Sequence, residues 1–140
     1  MISNKTQKYS IEIPSDNAFL NEVEKLSVKV ARKAKLNESD SDDLGIVTTE
    51  LVNNAIHHGN KDNPKKKVKI IYTIHSNHIK LIIRDQGNGF NLEDVGDPLS
   101  PDNLLKESGR GIFLIRSMMD SLEFNFTEKG AEVIVTKKIK

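Results

Sequence analysis

The feature that most narrows what this chain can fold into is a change of period in its apolar residues. Phe19, Val23, Leu26, Val30 and Ala34 recur at helical spacing behind "PSDN", which offers Ser15 or Asp16 as an N-cap, so a helix is expected over residues 17–35. A second helix follows "NESDSDD", with Leu44, Val47, Leu51 and Ala55 along one stripe, and stops at Gly59. The period then drops to two. Val68, Ile70, Tyr72 and Ile74 alternate with polar residues, as do Ile79, Leu81 and Ile83 beyond a short polar turn, which is the pattern of an antiparallel hairpin with one buried face. "GRGIFLIRSMMDSL" returns to helical spacing, with Ile112, Ile115 and Met119 beside Leu114, Met118 and Leu122, and "EFNFT" with "AEVIVTKK" reads as a closing hairpin. Helices segregated from hairpins give an α+β, two-layer α/β sandwich, its antiparallel or mixed sheet carrying the helices on one face.

Bulk properties limit the function classes. At 140 residues one domain (1–140) accommodates the chain, and a composition 36% hydrophobic and 29% charged, with formal net charge +1, carries no nucleic-acid footprint. The clusters Lys65-Lys66-Lys67 and Lys137-Lys138 read as solvated faces. Without cysteine there is no disulfide, thiolate metal site or thiol nucleophile. No apolar run approaches the ~20 residues of a membrane span, and "MISNKTQKYS" lacks the core of a signal peptide, so a cytoplasmic protein with neither membrane nor nucleic-acid partner is expected.

Three polar constellations break the apolar pattern. In "ELVNNAIHHGN" (50–60), Glu50 and Asn54 lie four residues apart and share one helix face. An amide oxygen is a hard, neutral ligand suited to Mg2+, and a carboxylate one turn away can orient or deprotonate a hydroxyl. A partly exposed helix edge would use the same residues, and His57-His58 suits a surface pair better than a zinc site. In "RDQGNGF" (84–90), Asp85 ends a strand and is followed by Gly87 and Gly89, which let a backbone approach a ligand closely; a plain turn is the alternative. A calcium loop is excluded because Gly96 stands where its twelfth-position glutamate belongs. In "ESGRGIFLIRSMMD" (107–120), Gly109 and Gly111 open a helix beside Arg110, an arrangement suited to an anion, although a helix-entry turn uses the same pattern. The linker-like stretch between the last two, from Asn91 to Ser108, is long for a connection inside a domain and suits a lid or binding segment.

In order, these segments resemble the N, G1 and G2 boxes of the GHKL ATPase superfamily, nearest to the bacterial anti-sigma-factor serine kinases of the RsbW and SpoIIAB type, over most of the chain from Tyr9 to Lys138. The resemblance implies the Bergerat ATP-binding fold and the cofactors ATP and Mg2+. It makes Asn54 the metal ligand, Glu50 the general base, and Asp85 the acceptor of a hydrogen bond from the adenine amino group. Gly87, Gly89 and Phe90 would close on the base, residues 91–108 would be the ATP lid, and Gly109, Arg110, Gly111 and Ile112 would hold the phosphates. It further implies a STAS-domain anti-sigma-factor antagonist phosphorylated on serine, a sigma factor as second partner, and a homodimer. Where the family often has Gly-Thr in its last hairpin, this chain has Gly130-Ala131, which removes a hydroxyl contact to adenine worth ~1 kcal/mol. A nucleotide-dependent binding module with little turnover is the competing expectation. A histidine-kinase catalytic fragment ranks third, because one sandwich filling 140 residues leaves no room for a phospho-accepting helical hairpin.

Overall fold

The computed structural model describes residues 6–87, 111–127 and 129–139, with the side chains of 111–113 outside that description. Five strands form one antiparallel sheet in the order β1-β2-β3-β5-β4: β1 (Gln7–Pro14), β2 (Lys67–Ile74), β3 (His78–Arg84), β4 (Ser121–Thr127) and β5 (Gly130–Lys138). Three helices pack on it: α1 (Leu20–Lys33), α2 (Glu38–Asn54) and α3 (Gly111–Met118). The two-layer α+β arrangement expected from the sequence is therefore present.

Local chemistry accounts for where the helices begin. The side chain of Asp16 accepts the Ala18 amide at 2.9 Å and caps a short 3-10 turn (Asn17–Phe19) that leads into α1. Ser15 has another task, described below. α2 starts earlier than expected: the Asn37 side chain accepts the Asp40 amide at 2.7 Å, so the acidic run lies inside the helix, where Glu38 and Asp40 face its positive end. At the other end the last turn widens into a π-helical segment (Ala55–Gly59), closed by the Asn60 amide on the Ala55 carbonyl at 2.8 Å.

The core lies between the layers. Val23, Val30, Leu44, Val47, Leu51 and Ile56 of the helical layer meet Val68, Ile70, Tyr72, Ile79, Leu81 and Ile83 of the central hairpin. Tyr72 is fully buried, and its hydroxyl bonds Thr48 Oγ1 at 2.6 Å, while Thr48 also donates to the Leu44 carbonyl at 2.7 Å. Burial pushes the Tyr72 phenol up to about 12, against hydrogen bonds from Thr48 and Ser27 that pull the other way. This polar join ties α1 and α2 to β2 through one hydroxyl.

Three expectations need correction. α3 ends at Met118, and Leu122 belongs to β4, because the backbone turns at Asp120, whose amide donates to the Thr136 carbonyl at 2.9 Å. Leu114, placed on the apolar stripe by its spacing, is half exposed. Lys137 is no solvated lysine: its side chain is only 12% exposed and paired with carboxylates of α2. β1 was not foreseen at all, although Tyr9, Ile11 and Ile13 alternate along it and Ile13 is buried in the core.

Candidate functional site

Strand order brings the end of β3 beside the start of β5, and Asp85 lies one residue beyond the last β3–β5 pair, Arg84 with Glu132. Its backbone continues the ladder, the Asp85 amide donating to the Ala131 carbonyl at 3.0 Å. Its carboxylate is held by Oδ1, which accepts the Gly87 and Ala131 amides at 3.0 Å each. Among the described residues no hydrogen bond ends on Oδ2. Burial raises the pKa of this carboxyl, partly offset by the two amides and by the charge of Lys66.

Three glycines make the surrounding space. A methyl group on Gly59 would fall on Asp85 Oδ2, one on Gly87 on the Gly59 carbonyl, and one on Gly130 on the Asp85 carbonyl, each closer than the 3.0 Å that real Cβ atoms respect. Gly130 also has φ of +149°, which L side chains rarely adopt. Gly59 therefore lets the Asp85 carboxyl group pack directly against the end of the π-helical turn. Sequence reasoning had Gly87 in the site but read Gly59 only as a helix stop and Gly130 only as part of a family motif. Their role depends on a close approach between segments far apart in sequence, which no local pattern records.

A second missed residue, Asn60, fixes the frame. It is 1% exposed, donates through Nδ2 to Ser15 Oγ at 2.8 Å and to the Lys67 carbonyl at 3.0 Å, and accepts the Gln86 amide through Oδ1 at 2.7 Å. Ser15 Oγ in turn donates to the Lys66 carbonyl at 2.7 Å, and Gln86 Oε1 accepts the Lys67 amide at 2.7 Å. One amide thus binds the ends of β1, β2 and β3 and holds the residue next to Asp85. Asn60→Ala strands these buried partners, and a loss of about 3 kcal/mol is expected. In urea the midpoint should fall with the slope unchanged; a variant as stable as the parent would mean that the network is dispensable.

Glu50 and Asn54 lie on the last two turns of α2, both half-buried and on one face as their spacing requires. From Asn54 the π-helical turn runs about 7 Å to Gly59, at ~1.5 Å per residue, and there meets Asp85. His57 and His58 are exposed, His57 bonding Asp62. α3, whose first residue is Gly111, packs against α2. So the structure brings the α2 terminus, Asp85, Gly87 and the start of β5 together and sets α3 alongside. Gly89, Phe90, residues 91–108, Gly109 and Arg110 lie outside the described residues, as does the side chain of Ile112.

This arrangement sets a carboxylate acceptor among three closely packed glycines, with an amide and a second carboxylate on the adjoining helix. Residues 13–137 match the family model described as histidine kinase-like ATPase domain. The serine-protein kinase RsbW of Staphylococcus epidermidis is 30% identical over 96% of this chain and 89% of its own length. RsbW of Oceanobacillus iheyensis is also 30% identical, over 79% of this chain and 73% of its own. Among solved structures, the mycobacterial sensor histidine kinase MprB superposes with a TM-score of 0.52 at 17% identity, covering 96% of this chain and 99% of that one. The histidine kinase domain of the Erythrobacter litoralis EL346 blue-light activated histidine kinase gives 0.58 at 16% identity, with 91% of this chain covering 62% of that one. At such identities the likeness to both structures concerns the fold.

Proposed function

This chain belongs to the histidine kinase-like ATPase domain family, and from that premise we propose that it is an ATP-dependent protein-serine kinase acting as an anti-sigma factor. On this reading it phosphorylates a serine of a STAS-domain antagonist, sequesters a sigma factor and forms a homodimer. The whole chain is one ATP-binding domain, with residues 91–108 as its lid. The relatives named as serine-protein kinases support the reaction class. No helix among the described residues is long and apolar enough to cross a membrane.

The observation that carries the reading is the state of Asp85. Oδ1 is engaged by two backbone amides, while Oδ2 packs against Gly59 and accepts no hydrogen bond among the described residues. A carboxylate so fixed is an acceptor awaiting an N–H donor, which the amino group of adenine supplies and the carbonyl of guanine does not. Asn54, at the end of α2, would hold Mg2+ with its amide oxygen, the phosphates and water completing the shell. The metal neutralises phosphate charge when bound. Gly109, Arg110, Gly111 and Ile112 would present backbone donors and a cation to the phosphates, with Gly89 and Phe90 closing on the base.

For transfer, Glu50 lies one turn before Asn54 and lines one end of a groove of about 620 Å³ between α1 and α2. An acceptor serine approaching there would place its hydroxyl against the Glu50 carboxylate, which takes the proton as the oxygen attacks the γ-phosphorus and the bond to the bridging oxygen breaks, releasing ADP. Incubation with Mg-ATP and a STAS-domain antagonist tests the reading: phosphoserine on the antagonist is expected, and an unmodified antagonist in the presence of bound ATP would reject it.

Ala131 supplies its amide to Asp85 but has no hydroxyl for the base. Ala131→Thr is therefore expected to tighten Mg-ATP binding about fivefold, equivalent to ~1 kcal/mol, as read by calorimetry. Unchanged or weaker binding would place the adenine elsewhere.

A further inference from the structure

The core-facing residues of β5 are Val133, Val135 and then Lys137, so period two puts a lysine where a third apolar residue would continue the pattern. Its ammonium reaches Asp40 at 3.3 Å and Asp43 at 3.4 Å, both in the first turns of α2, and donates to the Met118 carbonyl at 2.5 Å. Met118 is the last residue of α3. One partly buried cation thus joins the first turns of α2, through carboxylates that suit the positive end of that helix, to the last carbonyl of α3, whose negative end suits the cation.

Stability alone does not call for this arrangement. Exchanging a buried ion pair for well-packed apolar groups is often neutral or favourable. What an apolar residue cannot supply is a set of directed bonds to two helices at once.

Those bonds fall on telling positions. Glu50 lies seven residues beyond Asp43 and Asn54 eleven, close to two and three helical turns, so both side chains project within about 20° of Asp43, on either side of it, around the α2 axis. Holding Asp43 therefore sets the rotation of α2 that aims Glu50 and Asn54. α3 is eight residues long, about 12 Å, and holding its last carbonyl sets how far its Gly111 end projects along its axis.

Resting on the nucleotide reading above, we propose that Lys137 is a positioning residue that sets α2 and α3 in register, so that the groups on both helices meet the phosphates of a bound nucleoside triphosphate. It touches no substrate. The adenine end is held by other bonds, the Asn60 network and the Gly87 and Ala131 amides on Asp85, none of which involves Lys137.

That separation defines the test. Lys137→Met keeps the apolar stem and removes the cation; Asp40 and Asp43 retain the helix N-terminus as a favourable setting, so the variant is expected to fold. Mg-ATP affinity should fall at least tenfold, while adenosine, followed by NMR titration, should bind within twofold of the parent. Lys137→Arg, which preserves the charge, should recover most of the ATP affinity. Equal losses for ATP and adenosine, or no loss for either, would overturn the positioning role. Should Lys137→Met fail to fold, Asp43→Asn serves instead: a severalfold loss confined to ATP supports the proposal, and unchanged ATP binding overturns it. A parent protein that binds neither ligand would instead remove the nucleotide reading underneath.

Discussion

Asp85→Asn is expected to melt no lower than the parent at neutral pH and yet to bind Mg-ATP at least about 100-fold more weakly. The substitution is isosteric, and Asn Oδ1 can still accept the Gly87 and Ala131 amides. It removes a charge that burial disfavours, as the raised pKa of Asp85 records. A carboxyl raised in the folded state stabilises the fold below its unfolded pKa, and that contribution is lost as pH rises through the folded value. At neutral pH ionised Asp85 is therefore a net cost that the amide avoids, and the melting advantage of the variant should shrink as pH falls toward the ordinary aspartate range. For the ligand the change is severe. Where Oδ2 offered a charged acceptor, an NH2 group would face the amino group of adenine, donor against donor, a loss of about 3 kcal/mol. Parallel melts and ATP titrations check both halves, and a variant that binds ATP as the parent does would detach the nucleotide from this carboxylate.

Glu50→Ala separates chemistry from binding. Removing a general base costs phosphoryl transfer roughly 10²–10⁴-fold. On the proposed reading Glu50 serves the acceptor hydroxyl rather than the metal, so Mg-ATP affinity should stay within about threefold of the parent. Single-turnover transfer to the antagonist, set beside calorimetry, reads the two effects. A common fall in rate and affinity would make Glu50 a metal or structural ligand. A parent with ATP binding but no transfer to lose would favour the nucleotide-dependent binding module.

Much of this design was legible in residue spacing. Period two exposed the central hairpin because Val68, Ile70, Tyr72 and Ile74 face a single core, and the helical stripes of α1 and α2 were equally plain. β1 was overlooked because its short alternation gains meaning only from pairing with β2, 59 residues later, Ile11 opposite Ile70. "MMDSL" fits both a helix and a strand, and the bend at Asp120 decides between them through a contact with β5. Lys137 looked solvated because nothing nearby in sequence reveals Asp40 and Asp43, almost a hundred residues upstream.

The candidate site divides along the same line. Residue types proposed Glu50, Asn54, Asp85 and Gly87 as candidates, since their chemistry is visible in the letters. Gly59, Gly130 and Asn60 acquire their roles only where three chain segments meet, through the exclusion of a methyl group or the pinning of a distant amide. The frame around the carboxylate was a tertiary fact.

A thermodynamic cycle tests the adenine anchor most directly: ATP and the triphosphate of purine riboside, which lacks the 6-amino group, each titrated by calorimetry into the parent protein and into Asp85→Asn. The parent should prefer ATP by at least about tenfold, and the variant should lose or reverse that preference, because the amino group and Oδ2 are partners. The same preference in both proteins would contradict the account, because the amino group would then be read by something other than Asp85.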